Sequence, residues 1–136
     1  MHVPASSPFF QRAYDEAFGL LVEARNYVAY RERLERERLS IVGRLTMSCE
    51  AMRVTSRLTS VMAWLLTQRA VQSGEISLEE ACSEDNRLTG EQVCLLNESV
   101  GNETLPQGLR SLLERSYNLY VRIQHLEDLV RQQVAH

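Results

Sequence analysis

Three stretches of the chain repeat apolar residues at alternating spacings of three and four, and none alternates every second residue. Helices and no strands are therefore expected. The first stretch opens at Ser7-Pro8, where a serine caps and a proline suits the first helical position. Phe10, Tyr14, Ala17, Leu21, Ala24 and Val28 then draw one apolar stripe, widened by Phe18 and Leu20. Past Tyr30 the stripe gives way to the charged run 31–38, where Arg31 and Glu35, Glu32 and Arg36, and Arg33 and Glu37 stand four apart. Each such pair adds a few tenths of a kcal/mol to a solvated helix. Because the signs alternate they cancel, which favours a solvated helix end over a nucleic-acid contact. The first helix is predicted over residues 7–37.

The second helix, predicted over 40–73, carries two apolar stripes. Met47, Ala51, Val54, Leu58, Val61 and Leu65 form one; Ile41, Leu45, Met52, Thr55, Met62 and Leu66 form another about 100° around. A helix with two apolar faces touches two neighbours, so this one is expected at the centre. Its third face holds Glu50, Arg53, Arg57, Ser60, Trp64 and Gln68, and Gly74 is placed to end it. Leu109, Leu112, Ser116, Leu119, Ile123, Leu126 and Val130 keep strict heptads in a third helix, predicted over 106–134. Leu113 and Tyr120 broaden its stripe, while Glu114, Asn118, His125, Asp128 and Gln132 fall opposite. Between the second and third helices, residues 75–105 read as an irregular loop punctuated by Gly90, Asn97, Gly101, Asn102 and Pro106. Within it Ser77-Leu78-Glu79-Glu80 matches a capping box for a short helix over residues 78–82. The expected fold is all-α: an antiparallel bundle of three long helices in one domain over residues 1–136, with an irregular acidic loop between the second and third. Rods of about 40–50 Å in so small a chain leave apolar surface over, so a homodimer that buries the leftover stripe is expected.

Charge sharpens the picture of that loop. Its eight acidic residues (Glu75, Glu79, Glu80, Glu84, Asp85, Glu91, Glu98, Glu103) face one Arg87, so it carries −7 against +4 for the rest of the chain. An acidic patch favours a basic protein partner and disfavours nucleic acid. All 15 basic residues are arginine, which reads as a codon preference and not as a functional signal. The apolar runs fall short of the roughly 18 residues a membrane helix needs, and the first eight residues lack the basic and apolar regions of a signal peptide. A cytoplasmic protein is expected. Cys49, Cys82 and Cys94 are odd in number and show no C-x-x-C spacing, which points to reduced, structural thiols.

Catalytic and cofactor chemistry finds no foothold. The six glycines are scattered and form no phosphate loop. His2 and His136 sit at the ends, and His125 lies on a polar helix face with no second ligand at metal spacing. Glu79–Glu80 and Glu84–Asp85 are paired carboxylates in what reads as a solvated edge, where raised pKa values are not expected. Arg53-Val54-Thr55-Ser56-Arg57-Leu58-Thr59 has the residues of a DNA-recognition helix, but Val54, Thr55 and Leu58 belong to the core stripes. Neither enzyme, metal, cofactor nor nucleic-acid partner is expected. Candidate partner contacts are Arg53, Arg57 and Trp64 on the second helix, and Glu79, Glu80, Glu84 and Asp85 in the loop. An indole on an arginine-bearing face is either covered by the chain's own loop or offered to a partner, since Trp and Arg are enriched at binding hot spots.

Several stretches resemble the RcdA family of alphaproteobacteria, named for regulation of CtrA degradation. They are Ala13-Tyr14-Asp15-Glu16-Ala17, Leu21-Val22-Glu23-Ala24-Arg25-Asn26-Tyr27, the run from Met52 to Leu66, and Leu105-Pro106 with Leu109-Arg110, Leu112-Leu113, Arg115-Ser116, Leu119-Tyr120 and Arg122-Ile123. The likeness runs in order over nearly the whole chain. It implies an all-helical, dimeric adaptor that helps the ClpXP protease degrade cell-cycle regulators, recruited through a CpdR-like receiver protein. The alternatives to such an adaptor are a dimeric helical scaffold and a DNA-binding regulator, neither with a proteolytic role.

Overall fold

Ser40 opens the longest helix of the chain by accepting the Gly43 amide on its hydroxyl at 3.1 Å. The helix then runs uninterrupted to Gly74, whose positive φ of 81° closes it as a glycine cap does. The computed structural model describes residues 8–94 and 105–135. Its elements are α1 (Pro8–Tyr30), α2 (Glu32–Arg36), α3 (Ile41–Gln72), α4 (Leu78–Ala81), a 3-10 turn (Glu84–Asn86), α5 (Glu91–Cys94) and α6 (Gln107–Ala135). All regular structure among the described residues is helical. Ser7, expected to cap α1, and Asn97, Glu98, Gly101, Asn102 and Glu103 of the loop lie outside them.

The single helix expected over 7–37 breaks at Arg31, where φ of −117° departs from helical geometry. The amide ladder still crosses this kink, from Arg31 to the Tyr27 carbonyl and from Glu35 to the Arg31 carbonyl, and the Tyr27 hydroxyl donates to the Glu35 carboxylate at 2.6 Å. Arg31 still pairs with Glu35, and Arg36 with Glu32, as their spacing predicts. Arg44 donates from Nε to the Arg36 carbonyl, tying the end of α2 to the first turn of α3.

Helix direction follows from the cross-links. Glu16 pairs with Arg122 and Glu23 with Arg115, so α1 and α6 are antiparallel, one heptad separating the two clasps on each helix. Phe10 meets Trp64, while the later part of α1 flanks Thr55, so α1 is antiparallel to α3 as well. It follows that α3 and α6 point the same way. The bundle is thus not antiparallel throughout: parallel neighbours need a long crossover, and the chain between α3 and α6 supplies it by climbing back up the bundle.

The core lies where the three long helices meet. Ala13, Ala17, Leu20, Ala24 and Tyr27 come from α1, Met47, Val54, Leu58, Val61 and Leu65 from α3, and Leu109, Leu112, Leu113, Leu119, Tyr120, Ile123 and Val130 from α6. Full burial of each large aliphatic side chain contributes roughly 1.5–3 kcal/mol. The α6 stripe and the first α3 stripe fall where their spacing puts them. On α1 the stripe is turned: Ala13, Leu20 and Tyr27 are inside, Tyr14 and Leu21 sit at the edge, and Phe18 and Val28 face out. On α3 the difference is larger. Ile41, Leu45, Met52 and Leu66 of the second apolar stripe are exposed, whereas Glu50, Arg57, Trp64 and Gln68 of the supposedly polar face are buried. The crossover and α6 lie against that face, and they bring acceptors that no reading of α3 alone supplies.

Candidate partner-binding surfaces

Arg57 is the clearest case of that exchange. Its guanidinium is fully buried, with 0% exposure. Nε donates to the Cys94 carbonyl at 2.7 Å, and Nη1 donates to the Leu113 carbonyl at 2.9 Å and the Ser116 hydroxyl at 3.2 Å. The Tyr117 ring lies 5.3 Å from the charge. Desolvation pulls the Arg57 pKa down, the charge of nearby Arg53 adds to this, and electrostatic attraction to Cys94, Glu50 and Tyr117 opposes it. Trp64 is also interior, 3% exposed, with its ring 5.8 Å from that of Phe10 in a tilted arrangement. Of the two readings of that indole, cover by the chain's own fold is the one the structure adopts. Neither side chain offers a surface to a partner in this conformation.

Arg53 differs from them. It is half-buried and holds both oxygens of Glu50 from Nη1, at 2.6 and 2.8 Å, at the outer edge of α3. The four acidic candidates lie on the crossover. Ser77 accepts the Glu80 amide at 3.1 Å, as the capping-box spacing predicts, and so starts α4. Glu79 and Glu80 project outward from that turn, and Glu84 and Asp85 from the 3-10 turn that follows, all exposed. Asn86 ties the two turns by donating to the Glu80 carbonyl at 2.9 Å. Thus the structure brings the acidic residues onto one short ledge and leaves Arg53 apart from them, on the long helix.

Two α6 side chains hold this crossover in place, Tyr120 of the predicted stripe and Glu127, which the periodicity did not single out. Glu127, buried within the α6 stripe, accepts the Leu88 amide at 2.6 Å, and Tyr120 donates its hydroxyl to the Thr89 carbonyl at 2.8 Å. A signal for Glu127 was present, since it stands four after Ile123 and three before Val130, where an apolar residue belongs. Cys94 is buried beneath Gly90, and burial pushes its thiol pKa up against the opposing pull of Arg57. Among the described residues no group of three or more His, Cys, Asp or Glu is placed to hold a metal ion. No described helix is long and apolar enough to cross a membrane.

An open apolar feature lies on the opposite side. A trough of about 620 Å³ between α1 and α3 is lined by Phe18, Leu21, Val22, Val28 and Thr55 among others. Beyond it α3 continues the apolar surface with Met52, 69% exposed, Leu45 and Ile41, 83% exposed. Contiguous apolar surface of this kind marks an interaction face more often than a chance exposure.

Residues 2–136 match the family model described as a protein of unknown function, DUF1465. The solved structure of RcdA from Caulobacter crescentus CB15 is 36% identical and superposes with a TM-score of 0.73, over 91% of this chain and 92% of that one. The chain belongs to the RcdA family. No protein of curated function matches it. The acidic ledge and the α1–α3 face are exposed, while Arg53 is largely covered and held by Glu50.

Proposed function

We propose that the chain is a cytoplasmic, non-enzymatic adaptor that helps deliver cell-cycle regulators such as CtrA to the ClpXP protease, acting with a CpdR-like receiver protein. The observation that carries this reading is its relatedness to RcdA along nine-tenths of both chains. An adaptor needs surfaces and no reactive group. By tethering a substrate beside the unfoldase it raises the effective concentration there, and a dimeric adaptor adds avidity without any new contact.

The surfaces divide naturally between self and partner. The apolar α1–α3 face, with Phe18, Val28, Leu45 and Met52 exposed, suits a second copy of the chain. Arg53 and the acidic ledge of Glu79, Glu80, Glu84 and Asp85 suit charged protein partners, the ledge a basic one. Arg57 and Trp64 support these surfaces from inside.

The test is a reconstituted degradation assay with ClpXP, a CpdR-like receiver and a CtrA-type substrate, run with and without the chain. Faster substrate loss that needs both chain and receiver supports the adaptor. Equal rates at saturating chain, for a panel of such regulators, would sink it. Within an active system, charge reversal of Glu79, Glu80, Glu84 and Asp85 is expected to slow delivery at least severalfold, and more strongly at low salt.

A further inference from the structure

The crossover is attached to the bundle chiefly by its backbone. Glu127, 5% exposed, grips the Leu88 amide, Tyr120 the Thr89 carbonyl and Arg57 the Cys94 carbonyl. Among the described side chains of residues 84–94 only Leu88 and Cys94 are buried. Ser60 and Thr89 meet through their hydroxyls at 3.2 Å, and Gln124 reaches Glu91 at 3.3 Å, both at the surface. Each long helix, in contrast, is anchored by five or more core side chains. Segments with few buried apolar anchors open at lower free energy than the body of a domain. The backbone also provides a joint: Gly90 has φ of 77°, and a Cβ there would lie 2.9 Å from the Cys94 sulfur.

The segment meets the bundle at two different places, Glu127 under Leu88 and Arg57 under Cys94. Glu84, Asp85 and Glu91 point to solvent. Beneath the Cys94 end lies the Arg57 guanidinium with Ser116 and Tyr117. We propose that residues 84–94 form a strap that opens as a unit while the helix bundle stays folded, uncovering the Arg57 guanidinium that its Cys94 end now covers. Glu127 is the latch, because its carboxylate holds the amide where the strap meets α6. Burial lowers the pKa of Arg57 and raises that of Cys94, and opening relieves both. The opening stands independently of the adaptor reading, since it rests on how the strap is held and not on what binds it.

Cys94 reports the opening directly, being fully covered when the strap is closed, while exposed Cys49 serves as an internal reference. The full chain is labelled with N-ethylmaleimide over a series of sub-denaturing urea concentrations, with labelling at each cysteine read by mass spectrometry. Global unfolding is followed on the same samples by circular dichroism. Wild-type Cys94 is expected to react at least tenfold faster than global unfolding allows, with a shallower urea dependence, because a local opening exposes less surface. Glu127→Ala is expected to speed Cys94 labelling by roughly tenfold, the loss of one charge-assisted hydrogen bond, at unchanged helix content. The strap is overturned if wild-type Cys94 reacts only at the rate and urea dependence of global unfolding. Should Glu127→Ala destabilise the whole bundle, the wild-type comparison decides alone.

Discussion

Arg57 brings a full charge into a place that water does not reach, and it persists there because three oxygens converge on its fork. Removing the fork takes the charged donor from the buried Cys94 carbonyl and leaves a void in the core, while the Ser116 hydroxyl still donates to the Leu113 carbonyl at 3.2 Å. Arg57→Ala is therefore expected to cost about 3–5 kcal/mol in urea unfolding; a loss under about 1 kcal/mol would mean that these bonds contribute little net stability. Two phenols behave similarly. Desolvation, then the hydrogen bond to Glu35, pushes the Tyr27 pKa far up, and desolvation chiefly does the same for Tyr120. A raised folded-state pKa means that the folded form holds the proton more tightly, so this contribution is whole below the ordinary tyrosine pKa near 10 and is lost as pH rises above it. In an alkaline ultraviolet titration, two of the five tyrosines should ionise only together with unfolding. Independent titration of all five near pH 10 would contradict the burial of Tyr27 and Tyr120. At this scale the sequence misleads for a physical reason. Arg57 follows Arg53 by one turn and reads as solvent-facing, while its acceptors lie 37, 56 and 59 residues further along the chain.

Helices fare better, because period and capping are local. Ser40, Ser77 and Gly74 bound their elements as residue type dictates, and the α6 heptads fall on the core side by side with their polar counterparts outside. What local pattern does not contain is the partner of each face. The α1 stripe is turned toward Ala13, Leu20 and Tyr27 because α1 sits in the groove of two parallel helices, and the second α3 stripe is left bare because the crossover chose the polar side. Gly19 tests the exposed side of α1. It is inside a helix, and a Cβ there would meet nothing within 4 Å. Gly19→Ala should stabilise the chain by roughly 0.5–1 kcal/mol through helix propensity alone, seen as a raised midpoint of thermal unfolding; a fall would show that something packs over that position. The clasp of Glu23 and Arg115 close by, with Nη1 at 2.8 Å from one carboxylate oxygen, gives a pH test. The hydrogen bond from Arg115 lowers the Glu23 pKa below the ordinary glutamate value. Its stabilisation is thus present above that value and is lost as pH falls through the folded-state pKa. Half of the pair is solvent-exposed, so the effect is modest. Between pH 5 and 3 the wild type should lose slightly more stability than Arg115→Gln, and equal slopes would remove the clasp from the account.

At the scale of the whole molecule, one side is finished and the other is not. The α3–α6 side is closed by the crossover, which presents an acidic ledge at one end and covers a buried arginine at the other. The α1–α3 side ends in Phe18, Val28, Ile41, Leu45 and Met52 with nothing of the described chain above them. A stable dimer buries about 800 Å² from each partner around an apolar centre, and a row of side chains along two long helices has the extent and composition for it. A second copy related by a two-fold axis would set Met52 near its own counterpart, so a single substitution acts twice. Met52→Glu places like charges at that centre while costing the monomer little, since the side chain is 69% exposed. Sedimentation velocity at micromolar concentration should show the wild type as a dimer and Met52→Glu as a monomer with undiminished helix content. If Met52→Glu sediments as the wild type does, the seam lies elsewhere, and this face is free for a substrate. If the wild type itself is monomeric at that concentration, tethering proceeds without avidity, and delivery must rise linearly with adaptor concentration instead of gaining from two linked sites.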